Sequence, residues 1–221
     1  MTEAPGAGQP LGGEGWVDLF HQRRVWRLQP EDLDRWREAN DTFFEFITDH
    51  VPSGERILEL GCGPGRHALT LARLGYRVVG VEIDRRVARQ ALANSALLGT
   101  DQQLTLVRAD ARRPSRLFRA GRFAAITHGG LMEHFPSVAE IRAAIHDQLR
   151  VAPRLIFDVP VASARNEALF ARDSVFRNVW TSEFWRHEVL SGFRIEAARL
   201  DPHDHRSMTD DWVCVVAAGP S

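Results

Sequence analysis

Apolar and polar residues alternate in two patterns along the middle of the chain. Short, mostly apolar runs predict buried strands, and most are followed by a stretch whose apolar residues recur at the spacing of a helix face. The predicted strands are residues 57–60, 78–81, 104–107, 123–127 and 155–159. The first two helices between them end at Gly75 and Gly99, since glycine readily adopts the left-handed conformation that closes a helix, and a later one spans 138–149. This alternation predicts an α/β fold with a parallel sheet and helices on both faces.

The alternation stops near the end of the chain. Residues 193–200 and 212–217 predict two more strands, separated only by the polar segment 201–211. A parallel connection needs a crossover of about a dozen residues or more, usually a helix. The short polar link therefore predicts an antiparallel pair at the edge of the sheet.

The N-terminal region differs from this core. Residues 1–15 are rich in glycine and proline, which predicts a disordered tail. Residues 16–53 predict an amphipathic helical region, with one helical pattern running from Leu33 to Val51. Residues 54–221 then form the main domain. Aromatic residues that could line an apolar pocket lie in the N-terminal region and after the fifth strand: Trp16, Phe20, Trp26, Trp36, Phe170, Phe176, Trp180 and Trp185.

Composition narrows the class of protein. The chain is 44% hydrophobic and 26% charged with a formal net charge of -1, which gives no general attraction to nucleic acid or to anionic lipid. Its two cysteines, Cys62 and Cys214, are far apart, so we expect no disulfide framework and a cytoplasmic location. We also expect no membrane association, because no apolar run approaches the about 20 residues of a spanning helix.

A glycine-rich turn follows the first predicted strand. Gly61, Gly63 and Gly65 allow positive φ and leave room for a ligand to approach the backbone, and the amides of the next helix add partial positive charge. The dinucleotide fingerprint G-x-G-x-x-G requires glycine where this chain has Arg66. A carboxylate at Glu59 would be unfavourable beside a pyrophosphate but suits a cofactor that carries an ammonium group. An ordinary tight turn between strand and helix remains the alternative.

Two further acids end the next two strands. Glu82 ends the second strand, where a carboxylate accepts hydrogen bonds from ribose hydroxyls, as it also does in dinucleotide folds. Asp110 ends the third strand, where it could meet an adenine amino group. Glu82 by itself therefore does not separate the two kinds of cofactor.

Together these segments resemble the motifs of class I S-adenosylmethionine-dependent methyltransferases, of the type that acts on small molecules. The resemblance covers residues 54–218 in the right order, and its motifs are Ile57–His67, Val79–Asp84, Ala109–Ala111 and Gly130–Phe135. It implies a Rossmann-like sheet of seven strands in the order 3-2-1-4-5-7-6 with the last strand antiparallel. It also implies that residues 16–53 form a helical lid over the acceptor, so that the aromatic residues named above are candidates to line the acceptor pocket. Ala124 departs from the family, because many relatives have Asp there.

The resemblance also implies a site for S-adenosyl-L-methionine. Glu59 and the loop Gly61–Gly65, including Cys62, Gly63 and Gly65, surround the methionine part. Glu82 takes the ribose hydroxyls, Ile83 packs on adenine, and Asp110 with Ala111 meets the adenine edge. His128 and Gly129 flank the sulfonium.

The accepting group is less well defined by the sequence. His134 is the favoured general base and His128 a second catalytic candidate, although either could instead serve only to shape its loop. His203 and His205 with Asp201 and Asp204 could hold a metal, but solvent exposure is the commoner fate of such a loop, and we predict no metal.

Several functions remain open. We expect methyl transfer to an O or N atom of a small-molecule acceptor, because the chain lacks the Asn/Asp-Pro-Pro-Tyr signature of adenine N-methyltransferases and a catalytic Cys-Pro pair. Nucleic acid is an unfavoured partner, and a homodimer is possible. The alternatives are methylation of a protein or peptide side chain, a non-catalytic cofactor-binding scaffold and, least favoured, an NAD-dependent dehydrogenase.

Overall fold

A single seven-stranded sheet organises the protein. The computed structural model describes residues 13–171, 177–201 and 209–218. The strands are β1 Arg56–Leu60, β2 Arg77–Glu82, β3 Leu104–Arg108, β4 Ala125–Gly129, β5 Arg154–Pro160, β6 Arg194–Asp201 and β7 Asp211–Ala217. Their order is β3-β2-β1-β4-β5-β7-β6; the first five are mutually parallel, and β7 lies antiparallel to both β5 and β6. The predicted fold class and strand order are confirmed.

Helices cover both faces of this sheet. They are α1 Gly13–Gln22, α2 Pro30–Ala39, α3 Asp41–His50, α4 Arg66–Arg73, α5 Arg85–Leu97, α6 Val138–Leu149, α7 Ala164–Phe170 and the short α8 Ser182–Phe184, which continues into the π-helical turn Trp185–Val189. Successive strand residues point to opposite faces. Accordingly Leu58 packs with α6 in one buried cluster, whereas Ile57 packs with α3 and α4 in the other.

The fourth strand was predicted two residues too early. It spans Ala125–Gly129 instead of 123–127 and pairs with β1 from Ala125 onward. Thr127 and His128 are fully buried within it, although both are polar. A prediction based on apolar residues ends the strand where polar residues begin, and here the polar residues continue inside the sheet.

Two boundaries in the N-terminal region also differ from the prediction. The single helical pattern from Leu33 is broken at Asn40, which separates α2 from α3 and whose side-chain amide donates to the Trp36 carbonyl at 2.8 Å. Such local bonds compete with a continuous helix. Helix α1 begins at Gly13, inside the predicted tail, and residues 1–12 of that tail lie outside the described residues.

Asn94, buried in α5, joins the N-terminal segment to the glycine-rich turn. Its side-chain nitrogen donates to the carbonyl oxygens of Pro64, at 2.9 Å, and Trp26, at 3.0 Å. Its side-chain oxygen accepts the N–H of Leu28 at 3.3 Å. One amide thereby satisfies three backbone groups that are remote from it in sequence.

We predict that Asn94→Ala lowers the free energy of unfolding by about 2–3 kcal/mol, because it removes these bonds and leaves buried backbone groups unsatisfied. Urea unfolding followed by circular dichroism measures the change. Arg89→Ala, at an exposed position of the same helix, is the control and should stay within about 0.5 kcal/mol of the parent protein. Equal stability of the two variants would contradict the role given to Asn94.

Candidate active site

A cavity of about 500 Å³ opens at the carboxyl ends of the parallel strands. This size is typical of sites for small ligands, and the position is where α/β sheets bind them. Of the predicted site residues, those that line it are Gly61, Cys62, Gly63, Glu82, Ile83, Asp110, Ala111, Gly129 and His134. Glu59, Gly65 and His128 are not among its lining residues.

The glycine-rich turn forms part of the cavity wall. Gly61, Gly63 and Gly65 have φ of 65°, 55° and 103°, which side chains other than glycine rarely adopt. A Cβ at Gly63 would also lie 3.2 Å from the ring of Phe20 in α1. The turn therefore depends on glycine for both its conformation and its close cover by the N-terminal helix.

Glu59 lies in β1, two residues before the glycine-rich turn. Its buried carboxyl accepts a hydrogen bond from the Thr127 hydroxyl and lies 3.8 Å from Nδ1 of His67. Burial raises the pKa of Glu59 to about 7 and lowers the pKa of His67 to about 3. Between about pH 3 and pH 7 the contact is thus one between neutral groups. The predicted contact between Glu59 and the methionine part of the cofactor stays a prediction.

His67 also explains the glycine at the end of β4. A Cβ at Gly129 would overlap the His67 ring, which packs among Trp36, Phe43 and Phe44. Only glycine at position 129 lets the ring and the strand end approach this closely. The His67 ring thus occupies the space that a side chain at position 129 would need and fixes the backbone at the rim of the cavity.

Glu82 lies between the turn and the next helix. One carboxylate oxygen accepts the N–H of Gly63 at 3.1 Å, and the other accepts the N–H of Asp84 at 2.8 Å. A carboxylate has about four lone-pair sites, so acceptor capacity remains for hydroxyl groups. The neighbouring Ile83 is 59% exposed and offers the apolar surface that a flat ring would cover.

Asp110 and Ala111 lie at the same end of the cavity. Asp110 is paired with Arg112, with 2.6 Å between the closest oxygen and nitrogen, and this hydrogen bond is the main reason that its pKa is lowered. The predicted ribose, adenine and methionine contacts thus come from neighbouring strand ends, those of β2, β3 and β1.

The two histidine candidates have different surroundings. His134 lies in the lining, with its ring edge-on to Trp16 at 5.0 Å between centroids and its Nε2 3.5 Å from Oε1 of Glu133. His128 is fully buried and stacks on Phe157, and burial lowers its pKa to about 3. Only His134 is placed to touch a molecule in the cavity.

Charged residues that the sequence did not predict lie at the other end of the cavity. Glu133, Asp158 and Asp211 all line it, as do Arg23 and Arg177. Glu133 stands inside a quoted motif but was not given a role. Asp158 lies in β5, next to β4, and Asp211 begins β7, next to β5, so only the folded sheet brings the two aspartates together and no local pattern marks them.

Arg66 is also a lining residue. It was read only as the absence of a glycine, but its guanidinium lies 3.6 Å from the centroid of the Trp36 ring. Burial lowers its pKa to about 10, so it is charged near neutrality. It places a cation next to the turn, where an anionic group of a ligand could bind.

Helices α1 and α2 close the cavity with aromatic side chains. Of the predicted aromatic residues, Trp16, Phe20, Trp36 and Phe170 line it. Trp26, Trp180 and Trp185 are not in the lining, and Trp185 is completely buried in the core. Phe176 lies outside the described residues.

In residues 13–171, 177–201 and 209–218 no group of three or more His, Cys, Asp or Glu is arranged to hold a metal ion, and His203 and His205 lie outside these ranges. Within the same ranges no helix is long and apolar enough to cross a membrane.

We predict that the buried carboxyl of Glu133 makes the free energy of unfolding depend on pH. Burial raises its pKa from 4.5 to about 8, so the folded protein binds an extra proton between these values. The stability gained this way is fully present below pH 4.5 and is lost as the pH rises through about 8. Glu133→Gln should therefore flatten the fall in unfolding free energy with pH, by up to about 1.4 kcal/mol per pH unit.

Chemical unfolding at several pH values measures these slopes. Glu55→Gln, at an exposed carboxylate, should keep the slope of the parent protein. The same slope in Glu133→Gln as in the parent would show that Glu133 does not bind this proton.

Comparisons with known proteins agree with this arrangement. Residues 57–152 match the family model of a methyltransferase domain. A ubiquinone biosynthesis O-methyltransferase of Nitrosococcus oceani is 29% identical over 136 residues, which are 60% of this chain and 55% of that protein. The chain thus spans about half the length of this curated relative.

Solved structures share the fold. The magnesium protoporphyrin IX methyltransferase of Synechocystis PCC 6803 with bound S-adenosylhomocysteine has a TM-score of 0.68 at 17% identity, covering 93% of this chain and 96% of that one. A protein of Pyrococcus horikoshii OT3 has a TM-score of 0.70 at 17% identity, covering 91% and 99%. Residues 57–152 thus resemble a methyltransferase domain, and the strand order of the whole sheet is the one implied by the sequence resemblance to class I S-adenosylmethionine-dependent methyltransferases.

Proposed function

We propose that the protein transfers a methyl group from S-adenosylmethionine to an O or N atom of a small molecule. The observation that carries this proposal is that one cavity spans two sets of strand ends. One set, after β1, β2 and β3, carries the glycine-rich turn, Glu82 and Asp110. The other, around β4, β5 and β7, carries His134 and the buried carboxylates.

The first set fits the cofactor. Glu82 keeps acceptor capacity for ribose hydroxyls, the exposed face of Ile83 suits adenine, and Asp110 with Ala111 closes that end. Gly61, Cys62, Gly63 and Gly129 leave backbone accessible to the methionine part. Arg66, held over Trp36, supplies a cation for the carboxylate of the cofactor. When bound, the cofactor supplies a methyl group that is already activated by the sulfonium.

The protein then has two remaining tasks. It must hold the acceptor atom in line with the methyl carbon and the sulfur, and it must take a proton from an acceptor that loses one. An imidazole nitrogen of His134 is placed for the second task, because the ring lies in the lining beside Trp16 and Glu133. Helix α1 excludes water from the cavity through Trp16, Leu19 and Phe20.

A small acceptor is favoured over a protein side chain. The cavity is partly closed by aromatic residues of α1 and by Phe170, and its volume of about 500 Å³ suits a compact ligand in addition to part of the cofactor. The names of the O-methyltransferase relatives support the same choice. Methylation of a protein or peptide remains the second candidate and is an outcome of the screen below.

We predict that Glu82→Ala weakens S-adenosylmethionine binding by about 5- to 150-fold, the equivalent of about 1–3 kcal/mol for lost hydrogen bonds. Glu82→Gln keeps one acceptor oxygen and should lose less. Isothermal titration calorimetry with S-adenosylmethionine, S-adenosylhomocysteine and NAD measures this, with Glu55→Ala as the exposed control. Binding of NAD alone would overturn the proposed function.

We predict that the protein moves radiolabelled methyl groups onto a component of a small-molecule extract. Incubation with labelled S-adenosylmethionine and separate small-molecule and protein fractions measures the transfer. Label confined to the protein fraction would favour the second candidate, and cofactor binding without label in either fraction would favour the non-catalytic scaffold.

The same assay tests His134. His134→Ala should lower turnover by about 10²- to 10⁴-fold, the usual contribution of a general base, with cofactor affinity unchanged. His146→Ala, at an exposed position of α6, is the matched control. Unchanged turnover in His134→Ala would leave that side chain a structural role only.

A further inference from the structure

His134 follows β4 in a short loop that gives it little support of its own. The loop is the 3₁₀-helical turn Met132–His134 with its flanking residues. Inside it, the N–H of His134 donates to the Leu131 carbonyl at 3.2 Å, and the N–H of Phe135 donates to the Met132 carbonyl at 3.1 Å. Both distances are at the long end of the usual range, and 3₁₀ turns have poorer hydrogen-bond geometry than α-helices. Contacts with other segments are therefore needed to fix the direction of the His134 side chain.

One set of contacts holds this loop against the sheet. The side chains of Met132 and Phe135 are buried in the apolar cluster that includes α6. At the start of the loop, the N–H of Gly130 donates to Oδ1 of Asp158 in β5 at 2.8 Å. These contacts fix how deep the loop lies, and the carbonyl groups on either side of His134 bond to a different segment.

Asn178 accounts for the bonds on both sides of His134. Its backbone N–H donates to the carbonyl oxygen of Glu133 at 2.7 Å. Its side-chain amide donates to the carbonyl oxygen of Phe135 at 2.5 Å. One residue thus holds the backbone immediately before and immediately after the histidine, which restricts rotation of the peptide groups between them.

The segment that carries Asn178 is itself attached to the core. The ring of Trp180 packs against that of Trp185, which is completely buried, with 5.4 Å between the ring centroids. The carbonyl of Trp180 accepts the N–H of Ala162, two residues after the end of β5, at 3.0 Å. Asn178 therefore serves as a fixed point for the loop after β4.

We propose that Asn178 is a positioning residue that directs the imidazole of His134 into the cavity; this inference rests on the proposed function and adds a residue to its machinery. Asn178 does not line the cavity, so it acts on an acceptor only through its neighbours. Without its side chain, the buried Met132 and Phe135 still hold the loop on the sheet, but the His134 ring loses its fixed direction. Proton transfer requires hydrogen-bond reach between base and acceptor, so turnover falls.

Arg177 offers a second route by which a change at Asn178 would lower activity. It directly precedes Asn178 and lines the cavity, with its guanidinium 4.4 Å from the centroid of the Phe170 ring. A variant of Asn178 that displaced Arg177 would also disturb the acceptor end. The experiment therefore has to show that the effect passes through His134.

Nuclear magnetic resonance follows the His134 ring without an acceptor. In protein saturated with S-adenosylhomocysteine, the Cε1–Hε1 signal of His134 is identified as the one that His134→Ala removes. We expect Asn178→Ala to move or broaden this signal, because the ring changes its position beside Trp16. Tyr76→Phe removes a buried hydrogen bond to the Val51 carbonyl away from the cavity, so this matched control should leave the signal in place. An unchanged signal in Asn178→Ala overturns the inference.

Turnover tests the route. We expect Asn178→Ala to lower transfer of labelled methyl groups by about 10- to 100-fold, since a misplacement of about 1 Å can cost that much. Parent-like affinity for S-adenosylhomocysteine shows that the variant is folded. In the His134→Ala background the same substitution should have no further effect, because the side chain that it positions is gone. An equal loss in both backgrounds overturns the inference and assigns the effect to Arg177.

A second variant keeps the shape of the side chain. Asn178→Asp replaces the N–H donor with a carboxylate oxygen, so it should behave as Asn178→Ala does, and it takes the place of that variant if the alanine substitution does not fold. Parent-like turnover in either folded variant overturns this inference alone. Failure of the parent protein to transfer label to any fraction overturns the proposed function, and this inference with it.

Discussion

The adjacency of β1 and β4 is the constraint on which the rest of the site depends. The chain runs outward from β1 through β2 to β3 and then returns to place β4 on the other side of β1. Helix α4, which follows β1, packs on one face of the sheet, and α6, which follows β4, packs on the other. A crevice remains where the direction reverses. The glycine-rich turn and Gly129 border this crevice, so the residues proposed to bind the cofactor and those proposed to bind the acceptor share one opening.

The buried acids at and near this opening lower the stability of the folded protein. Glu59, Glu133 and Asp158 all have raised pKa values, mainly because burial disfavours their charged forms. A core built only for stability would carry apolar groups in their place. The surrounding sheet tolerates the cost because its two apolar clusters extend along both faces.

Local sequence was sufficient to predict the parts of the fold that are local. The glycine-rich turn, the helix ends at Gly75 and Gly99 and the closing antiparallel pair are each marked by a few consecutive residues, and the family resemblance supplied the strand order. The end of the fourth strand was predicted too early because His128, which continues the strand, is polar although it is fully buried. The break at Asn40 was missed because a side-chain hydrogen bond, not a change in apolar spacing, produces it.

The acceptor end could not be predicted in the same way. Asp158 and Asp211 are far apart in sequence and come together only through the pairing of β5 with β7. His128 and His134 are close in sequence, yet one is enclosed in the core and the other faces the cavity. The course of the backbone at the end of β4 decides which of these two histidines can meet a ligand. The composition of the chain does not reveal that course.

The side chain of Asn94 holds both the glycine-rich turn and the segment that follows α1 in place. The residue does not line the cavity, yet its amide holds the backbone on both sides, at Pro64 of the turn and at Trp26 and Leu28 behind α1. These bonds link the position of α1, whose residues line the cavity, to the position of the turn. A substitution on α5 that disturbs Asn94 would therefore alter two walls of the cavity at once without touching a molecule inside it.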